Sequence, residues 1–385
     1  MEDMVEIHRS IGELAGRWRE ERGERLARRS LDQRDFDAIA ATGFWAAVLP
    51  VENGGPFAGV ESSTRDLCVA LRTLAGGDPS VALVAAMHPA VIGYWIATSA
   101  DTDDWRSQRA AVVQSAVDGR QWGTITSEPG SGGDIARTRT VAVPDGTVDI
   151  GLPGRGYRLS GQKHFGSGSG VADYMVTTAV AEGEEGPAVF VLDTTDRSWD
   201  GSTGTTLIAE WDGMGMKATQ SHAMALDGAP AVRLAYDGPL EDVVANTAAF
   251  IGCLFTSVVV GVVDEAIATA RPRIAAQAEE MRAYEQVEWT RAETGHWLMV
   301  QAHEGALRAV ESGDRGAALH AALRAKQAGA ELAEQVLLRT SRVLGGGSFS
   351  QRSPFAHWFE DVRALGFLRP PWGLAYDALF ATSLG

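Results

Sequence analysis

The chain has 385 residues, 45% hydrophobic and 22% charged, which is ordinary for a globular protein of two or three domains. Its 50 acidic and 34 basic residues give a net charge of −16 at pH 7, which disfavours nucleic acid or an anionic membrane surface as a partner. The two cysteines, Cys68 and Cys253, lie in apolar contexts without a CxxC pair. We therefore expect neither a disulfide framework nor a metal site.

Residues 1–120 are predicted to form a helical domain, because apolar residues recur there at helical spacing. The run Ser30–Gln33 is typical of a capped helix start, and that helix is expected to reach about Ala41. The run Gly76–Pro79 is expected to end one apolar helix and start another, which continues to about Ile96.

The pattern changes after residue 120. Over 121–238, short alternating runs separated by Gly, Pro and Asp turns predict an all-β domain. Over 239–385, long helical stretches with short connections predict a helical bundle. The order lacks βαβ alternation, so a Rossmann fold is disfavoured. The sequence thus predicts a mainly α fold with a central β-barrel.

Two features concern the compartment. The uncharged stretch from Thr247 to Val263 spans 17 residues, the lower limit for a membrane helix. It has no basic flank or aromatic belt, which favours a buried core helix. The N-terminal residues, Met-Glu-Asp-Met-Val-Glu, show no basic region followed by an apolar core. No signal peptide is therefore predicted, and a cytoplasmic location is expected.

Two segments carry the main functional signal. The first, Thr126–Asp134, reads TSEPGSGGD and is typical of a tight loop that exposes hydroxyls and backbone N–H groups. Such a loop suits a flat polar ligand or a phosphate. The second, Gly161–Gly168, reads GQKHFGSG. By themselves these residues indicate a ligand-binding loop and no particular ligand.

With further motifs, the two segments resemble the acyl-CoA dehydrogenase superfamily over nearly the whole chain. The resemblance implies an acyl-CoA dehydrogenase-like fold: an N-terminal helical domain, a middle β-barrel and a C-terminal four-helix bundle. It also implies a flavin, FAD or FMN, and a homotetramer or homodimer. The additional motifs are Gly43–Gly55, Asp78-Pro79-Ser80 with His88, Trp211–Thr219, and Leu344–Phe349 with Asp361–Arg363.

The resemblance also implies individual site residues. Ser127 stands where a hydroxyl contacts the flavin near N5, and Phe165 stands where an aromatic ring covers one flavin face. The residues alone also allow Ser127 to be a turn-capping hydroxyl and Phe165 to be a packed barrel residue. The full set of implied cofactor-binding residues is Ile125, Thr126, Ser127, Gly132, Phe165, Ser167, Gly345 and Gly346.

The catalytic base of the dehydrogenases is missing from the sequence. These enzymes use a Glu to remove the α-proton of an acyl-CoA, and the corresponding position here is Arg369, which stays protonated. The alternative position used by some members falls near Ile251, in the stretch without acids. Where an Arg and a Phe often hold the adenosine of FAD, this chain has Gln277 and Glu280.

This combination resembles the flavin monooxygenases related to dibenzothiophene and sugar N-oxygenases, whose loop matches Lys163–Gly168. Such enzymes receive reduced flavin from a separate reductase and transfer oxygen from O₂ to a small organic substrate. Ser127, Arg369 and His88 are the candidate catalytic residues. For His88, which follows Ala-Ala-Met in an apolar helix, a satisfied core histidine is the ordinary interpretation.

Three functions are compatible with these residues. The favoured hypothesis is a reduced-flavin monooxygenase acting on a small organic molecule. The alternatives are an acyl-CoA dehydrogenase with an unrecognised base and a catalytically silent flavin-binding relative. The substrate is not encoded in any local motif, because pocket walls come from residues scattered along the chain.

Overall fold

A computed structural model of the chain describes residues 2–195 and 198–383. Within these ranges, helices lie at both ends of the chain and strands in the middle. The N-terminal helices are α1 (Glu2–Glu20), α2 (Arg22–Arg25), α3 (Gln33–Ala41), α4 (Val60–Ala75), α5 (Pro79–Ile96) and α6 (Asp103–Val117). The C-terminal helices are α7 (Leu240–Ala276), α8 (Ala283–Glu311), α9 (Arg315–Leu344), α10 (Pro354–Val362), α11 (Ala364–Phe367) and α12 (Trp372–Ala381).

Two of the predicted helix starts are confirmed by their caps. The Asp32 carboxylate accepts a hydrogen bond from the Arg34 N–H at 3.0 Å, so α3 begins where the sequence indicated. The Asp78 carboxylate accepts from the Val81 N–H at 3.1 Å, and Pro79 fills the first turn of α5. Both caps satisfy backbone donors that the helix itself leaves without a partner.

The strands form a small closed barrel. Strands β2, β3, β4, β5 and β7 pair in the order β4-β2-β3-β7-β5, and β5 pairs back with β4. β1 adds to β4 in parallel, and β6 adds to β7 antiparallel. The strands are β1 (Trp122–Thr124), β2 (Val141–Pro144), β3 (Gly156–Gly166), β4 (Tyr174–Ala181), β5 (Pro187–Asp193), β6 (Thr205–Ala209) and β7 (His222–Arg233).

The apolar helices α5 and α7 form the centre of the helical core. Both are long and apolar enough to cross a membrane by composition, yet 89% of the α5 window and 56% of the α7 window are buried in the fold. The core helix of a globular protein can have the same length and composition, so these two features are weak evidence for a membrane span. Gly261 lets α7 pack closely on α4, since a Cβ there would lie 2.1 Å from the Arg72 carbonyl oxygen.

A polar junction connects all three parts of the fold. The Met216 N–H, between β6 and β7, donates to the Asp361 carboxyl of α10 at 2.6 Å. Arg25, the last residue of α2, pairs with Asp78 at the start of α5, at 3.1 Å. Burial raises the pKa of Asp361 to about 7; the Met216 N–H lowers it, and the nearby Asp78 charge raises it further. Asp361 therefore binds a proton more readily in the folded protein than in the unfolded chain.

The Asp361→Asn substitution should remove a pH dependence of stability. Because the folded-state pKa is raised, the stabilisation from this group is complete below about pH 4 and is lost as pH rises through about 7. Asn keeps the acceptor for Met216 and has no charge. We expect the melting temperature of the variant, relative to wild type, to increase from pH 4.5 to about 7 and then level off.

Melting temperatures across this pH range check the prediction. Asp212→Asn is the matched control, because the Asp212 side chain is 99% exposed. A difference between Asp361→Asn and wild type that stays constant with pH would contradict the assignment.

Candidate functional site

A cleft of about 1360 Å³ lies between the barrel and the bundle. Single-ligand pockets usually have volumes of about 300–1,000 Å³, so this cleft has room for a cofactor and a second molecule. Its walls come from the loop Thr126–Ala136, from residues 164–167 and 211–221, and from faces of α5, α7 and α9. The segment from Glu360 to Thr382 closes the remaining side.

A buried ion pair holds the loop at the edge of the cleft. The Lys163 ammonium on β3 donates to the Glu128 carboxylate at 2.6 Å and to the Thr178 carbonyl at 2.6 Å. The Thr138 and Thr140 hydroxyls also donate to Glu128. Burial alone would raise the pKa of Glu128, but these donors outweigh it and lower the pKa to about 2. Glu128 is thus ionised and fully engaged.

The two predicted segments also meet through their backbones. The His164 N–H donates to the Ser127 carbonyl at 2.8 Å, which forms an isolated bridge between loop and strand. The next residue, Phe165, has a φ of +60°, a conformation that is strained for an aromatic residue. Its ring is 60% exposed and contacts Trp211 edge to face at 6.2 Å. An exposed ring held in this way offers a flat surface to a ligand in the cleft.

Several polar atoms in the cleft wall fit a flavin ring. Thr126 Oγ1, Thr178 Oγ1 and Arg369 Nη1 are buried and have no hydrogen-bond partner among the described residues. The Ser167 hydroxyl contacts the Ser221 hydroxyl at 2.8 Å in the same wall. The hydroxyls complement the carbonyl oxygens and ring nitrogens of an isoalloxazine, and the apolar walls complement its faces. Arg369 adds a cation to the same wall. The residues present therefore fit a bound flavin.

Six of the sequence-predicted site residues lie together in this wall. They come from two loops of the barrel and from the segment between α11 and α12, which are far apart in sequence. These residues are Thr126, Ser127, Gly132, Phe165, Ser167 and Arg369.

Three other predicted cofactor residues lie elsewhere. The Ile125 N–H donates to the Val176 carbonyl, and the Ile125 carbonyl accepts from the Thr177 hydroxyl at 2.6 Å, so both groups already bond within the barrel. The Ile125 side chain is buried in the barrel. Gly345 and Gly346 follow the end of α9 and are not among the residues of the cleft wall.

The structure corrects the catalytic interpretation of His88. Its side chain is fully buried on α5, and its ring lies 4.9 Å from the Trp45 ring. Nδ1 accepts from the Trp122 N–H at 3.4 Å, and Nε2 lies 3.3 Å from the Trp45 carbonyl. Burial lowers the pKa of His88 to about 3, so the ring is neutral. His88 is a core histidine and does not reach the cleft.

Sequence reasoning missed Lys326 and Tyr94, which are among the polar residues of the cleft. Lys326 lies in the middle of α9 and Tyr94 near the end of α5, and both line the wall. Each occupies an ordinary helical position, since Lys is common on exposed helix faces and Tyr on apolar ones. Only the packing of α5 and α9 around the cleft distinguishes them, so no local signal was available.

Comparison with known proteins places this geometry in a class. The chain is 28% identical over 351 residues to the amino sugar nitrososynthase DnmZ of Streptomyces peucetius, covering 87% of this chain and 82% of the relative. The nitrososynthase structure from Micromonospora carbonacea var. africana superposes with a TM-score of 0.84 at 21% identity, over 100% of this chain and 97% of that one.

The FMN-bound structure of TdsC, a dibenzothiophene monooxygenase from Paenibacillus sp. A11-2, gives a TM-score of 0.79 at 18% identity, over 97% and 96% of the two chains. No protein-family model matches the chain. The fold is that of the acyl-CoA dehydrogenases. Together with the sequence relative, these findings confirm the predicted resemblance to the flavin monooxygenases of that superfamily and the predicted class, a flavin-dependent oxidoreductase.

The buried ion pair yields a stability prediction. Lys163→Met leaves the Glu128 carboxylate buried without a counter-charge, and the free energy of unfolding should fall by about 3–5 kcal/mol. The double variant Glu128→Gln/Lys163→Met removes both charges and should recover most of the loss. Urea denaturation of the single and double variants measures this coupling.

Arg233→Met serves as the control, because Arg233 pairs with Glu184 on the surface. Loss of such an exposed pair should change the stability by less than about 1 kcal/mol. A Lys163→Met variant as stable as wild type would show that the pair does not hold the loop.

Proposed function

We propose that the protein is a reduced-flavin monooxygenase that binds FMN in the cleft and oxygenates a small organic substrate. The observation that carries the proposal is Arg369 in the cleft wall, at the position where the sequence motif places a dehydrogenase's carboxylate base. A guanidinium does not remove a proton from carbon at neutral pH. The cleft thus keeps the flavin-binding residues without the base for desaturation.

The described carboxylates of the cleft do not replace that base. A general base needs a pKa raised towards neutrality, yet Glu128 has its pKa lowered to about 2. Glu360 pairs with Arg363 at 2.8 Å, and Asp134 accepts from the Ala136 N–H at 2.9 Å. Glu241 lies in the exposed first turn of α7. This arrangement disfavours acyl-CoA dehydrogenation.

The chain's own residues perform three tasks in this proposal. Phe165 would cover one face of the bound ring system, and the hydroxyls of Thr126 and Ser167 would donate to its polar edge. Apolar side chains of α5 and α7, such as Val91 and Phe255, exclude water from the reacting centre. A bound reduced flavin supplies the activation of O₂ and the transfer of one oxygen atom.

FMN is favoured over FAD by the end of α7. Gln277 and Glu280 are both exposed there, at the positions where related enzymes hold the adenosine half of FAD. A carboxylate beside a diphosphate is electrostatically unfavourable. TdsC, which shares this fold, contains FMN. We further propose that a separate reductase supplies the reduced FMN, as the resemblance to two-component monooxygenases implies.

The decisive experiment follows the reoxidation of reduced flavin. Protein with reduced FMN is mixed with O₂ in a stopped-flow instrument, and ¹⁸O₂ incorporation is measured for amine, sulfur and aromatic substrates. We expect slower reoxidation than for free FMN and one labelled oxygen atom in a product. Reoxidation identical to that of free flavin, with both FMN and FAD, would contradict the proposal, as would anaerobic reduction of bound flavin by an acyl-CoA.

Phe165→Ala tests the role of the ring in the same assay. Loss of a stacking surface should weaken FMN binding about tenfold, because such contacts contribute about 1–3 kcal/mol. Faster release of H₂O₂ should accompany it. Phe380→Ala is the matched control, since Phe380 is 68% exposed and is not among the residues of the cleft wall.

We also propose that the chain assembles as a homotetramer. Three large aromatic side chains, Tyr284, Trp297 and Phe349, are more than half exposed on α8 and after α9. Aromatic side chains are enriched at interfaces between subunits. Light scattering after size-exclusion chromatography should give about four times the chain mass for wild type and a smaller mass for Trp297→Glu.

Val5→Glu on α1 is the control for that measurement, because Val5 is equally exposed and lies in a different part of the fold. A monomeric wild-type protein, or an unchanged mass for Trp297→Glu together with a reduced mass for Val5→Glu, would contradict this interface.

A further inference from the structure

We propose that Arg369 and Lys326 together bind an acidic group of the substrate, a carboxylate or a similar oxyanion, in the cleft. The inference rests on the proposed function, because it takes the cleft to be where an organic substrate binds. It adds a substrate class: organic acids with an apolar body.

Arg369 is a half-buried cation without an ion-pair partner among the described residues. Its Nη1 atom is buried and takes part in no hydrogen bond among them. Burial lowers the pKa of Arg369, and the nearby Tyr94 phenol raises it. A guanidinium stays charged at neutral pH, and leaving a buried donor of such a charge unpaired is unfavourable. A ligand oxyanion would satisfy it.

The carboxylate nearest in the wall cannot take this role. Lys163 is close enough to Arg369 for their charges to repel, which lowers the pKa of Lys163 after burial has done so. The Glu128 partner of Lys163 already accepts from the Thr138 and Thr140 hydroxyls and from the Arg139 N–H at 2.7 Å. Glu128 therefore balances the charge of Lys163, and no described carboxylate pairs with Arg369.

Lys326 adds a second cation to the cleft wall. Its ammonium is 3% exposed and donates to the Pro370 carbonyl at 2.6 Å and to the Gln327 side chain at 3.1 Å. An ammonium has three donors, so one remains. No carboxylate pairs with it within the described chain, and burial lowers its pKa to about 8. Since Pro370 follows Arg369 in the chain, the Lys326 ammonium binds the backbone next to Arg369.

The surroundings of the two cations indicate the rest of the ligand. Leu323 precedes Lys326 by one turn of α9 and lines the cleft beside it. Val91 precedes Tyr94 by one turn of α5 and lines the cleft too. An anion held by the two cations would therefore have its organic part against apolar side chains. This combination fits an organic acid and leaves little to hold a free inorganic ion.

The test compares acids with their neutral isosteres. Calorimetry measures benzoate against benzamide and octanoate against octanamide, with the full-length protein in the presence and absence of oxidised FMN. A charge-assisted hydrogen bond in such a site contributes about 1.5–3 kcal/mol, so we expect at least one acid to bind about tenfold or more tightly than its amide. Equal affinities in both pairs would overturn the proposal.

Three variants assign the preference to the two cations. Arg369→Met should abolish it, and Lys326→Met should reduce it. Arg363→Met is the matched control and should keep it, because Arg363 lines the same cleft but pairs with Glu360. Arg369→Met should also melt at a higher temperature than wild type without ligand, whereas loss of a structural arginine would lower it. A preference that survives in Arg369→Met would overturn the proposal.

A measurement of flavin affinity distinguishes binding of the substrate's acid by Arg369 from binding of the negatively charged flavin. Affinities of wild type and Arg369→Met for oxidised and reduced FMN are measured by fluorescence, and we expect both to change by less than about threefold. A selective loss of reduced FMN with an unchanged acid preference would assign Arg369 to the flavin and overturn the proposal. An acid preference in a protein that binds no flavin would leave this site standing and refute the monooxygenase function.

Discussion

The buried pair of Glu128 and Lys163 is the interaction on which the geometry of the cleft depends. It joins the glycine-rich loop to β3 and, through the Thr178 carbonyl, to β4. A glycine-rich loop has many conformations in solution, and ordering it has an entropic cost. An ion pair with every remaining acceptor site engaged gives the loop one conformation. Ser127 and Phe165, one residue from Glu128 and two from Lys163, are positioned by that constraint.

The electrostatics of the cleft differ from those of the whole molecule. The chain carries a net charge of −16, yet the cleft wall contains two cations, Arg369 and Lys326, that pair with no described carboxylate. An acidic surface favours solubility and acts at long range, where salt screens it. Charges buried in a low-dielectric wall act at short range and are screened much less. The wall therefore selects ligands by a charge that the overall composition does not reveal.

The dehydrogenases have a catalytic Glu where this chain has Arg369. That difference changes the chemistry that the fold can support. The same scaffold supports desaturation when a tuned carboxylate faces the substrate, because that reaction begins with proton removal. With Arg369 in that wall, the scaffold retains a flavin cleft suited to chemistry that needs no such base. Function on a shared fold is decided at the site.

The sequence by itself determined the caps at Asp32 and Asp78, the buried apolar character of α7 and the glycine-rich ligand loop, because these depend on neighbouring residues. It also determined that the dehydrogenase base is absent. Only the tertiary structure decided that His88 is a core residue, that the backbone groups of Ile125 bond within the barrel, and that Lys326 and Arg369 both line the cleft. These outcomes depend on which distant segments pack against each side chain, and no local pattern of residues records that packing.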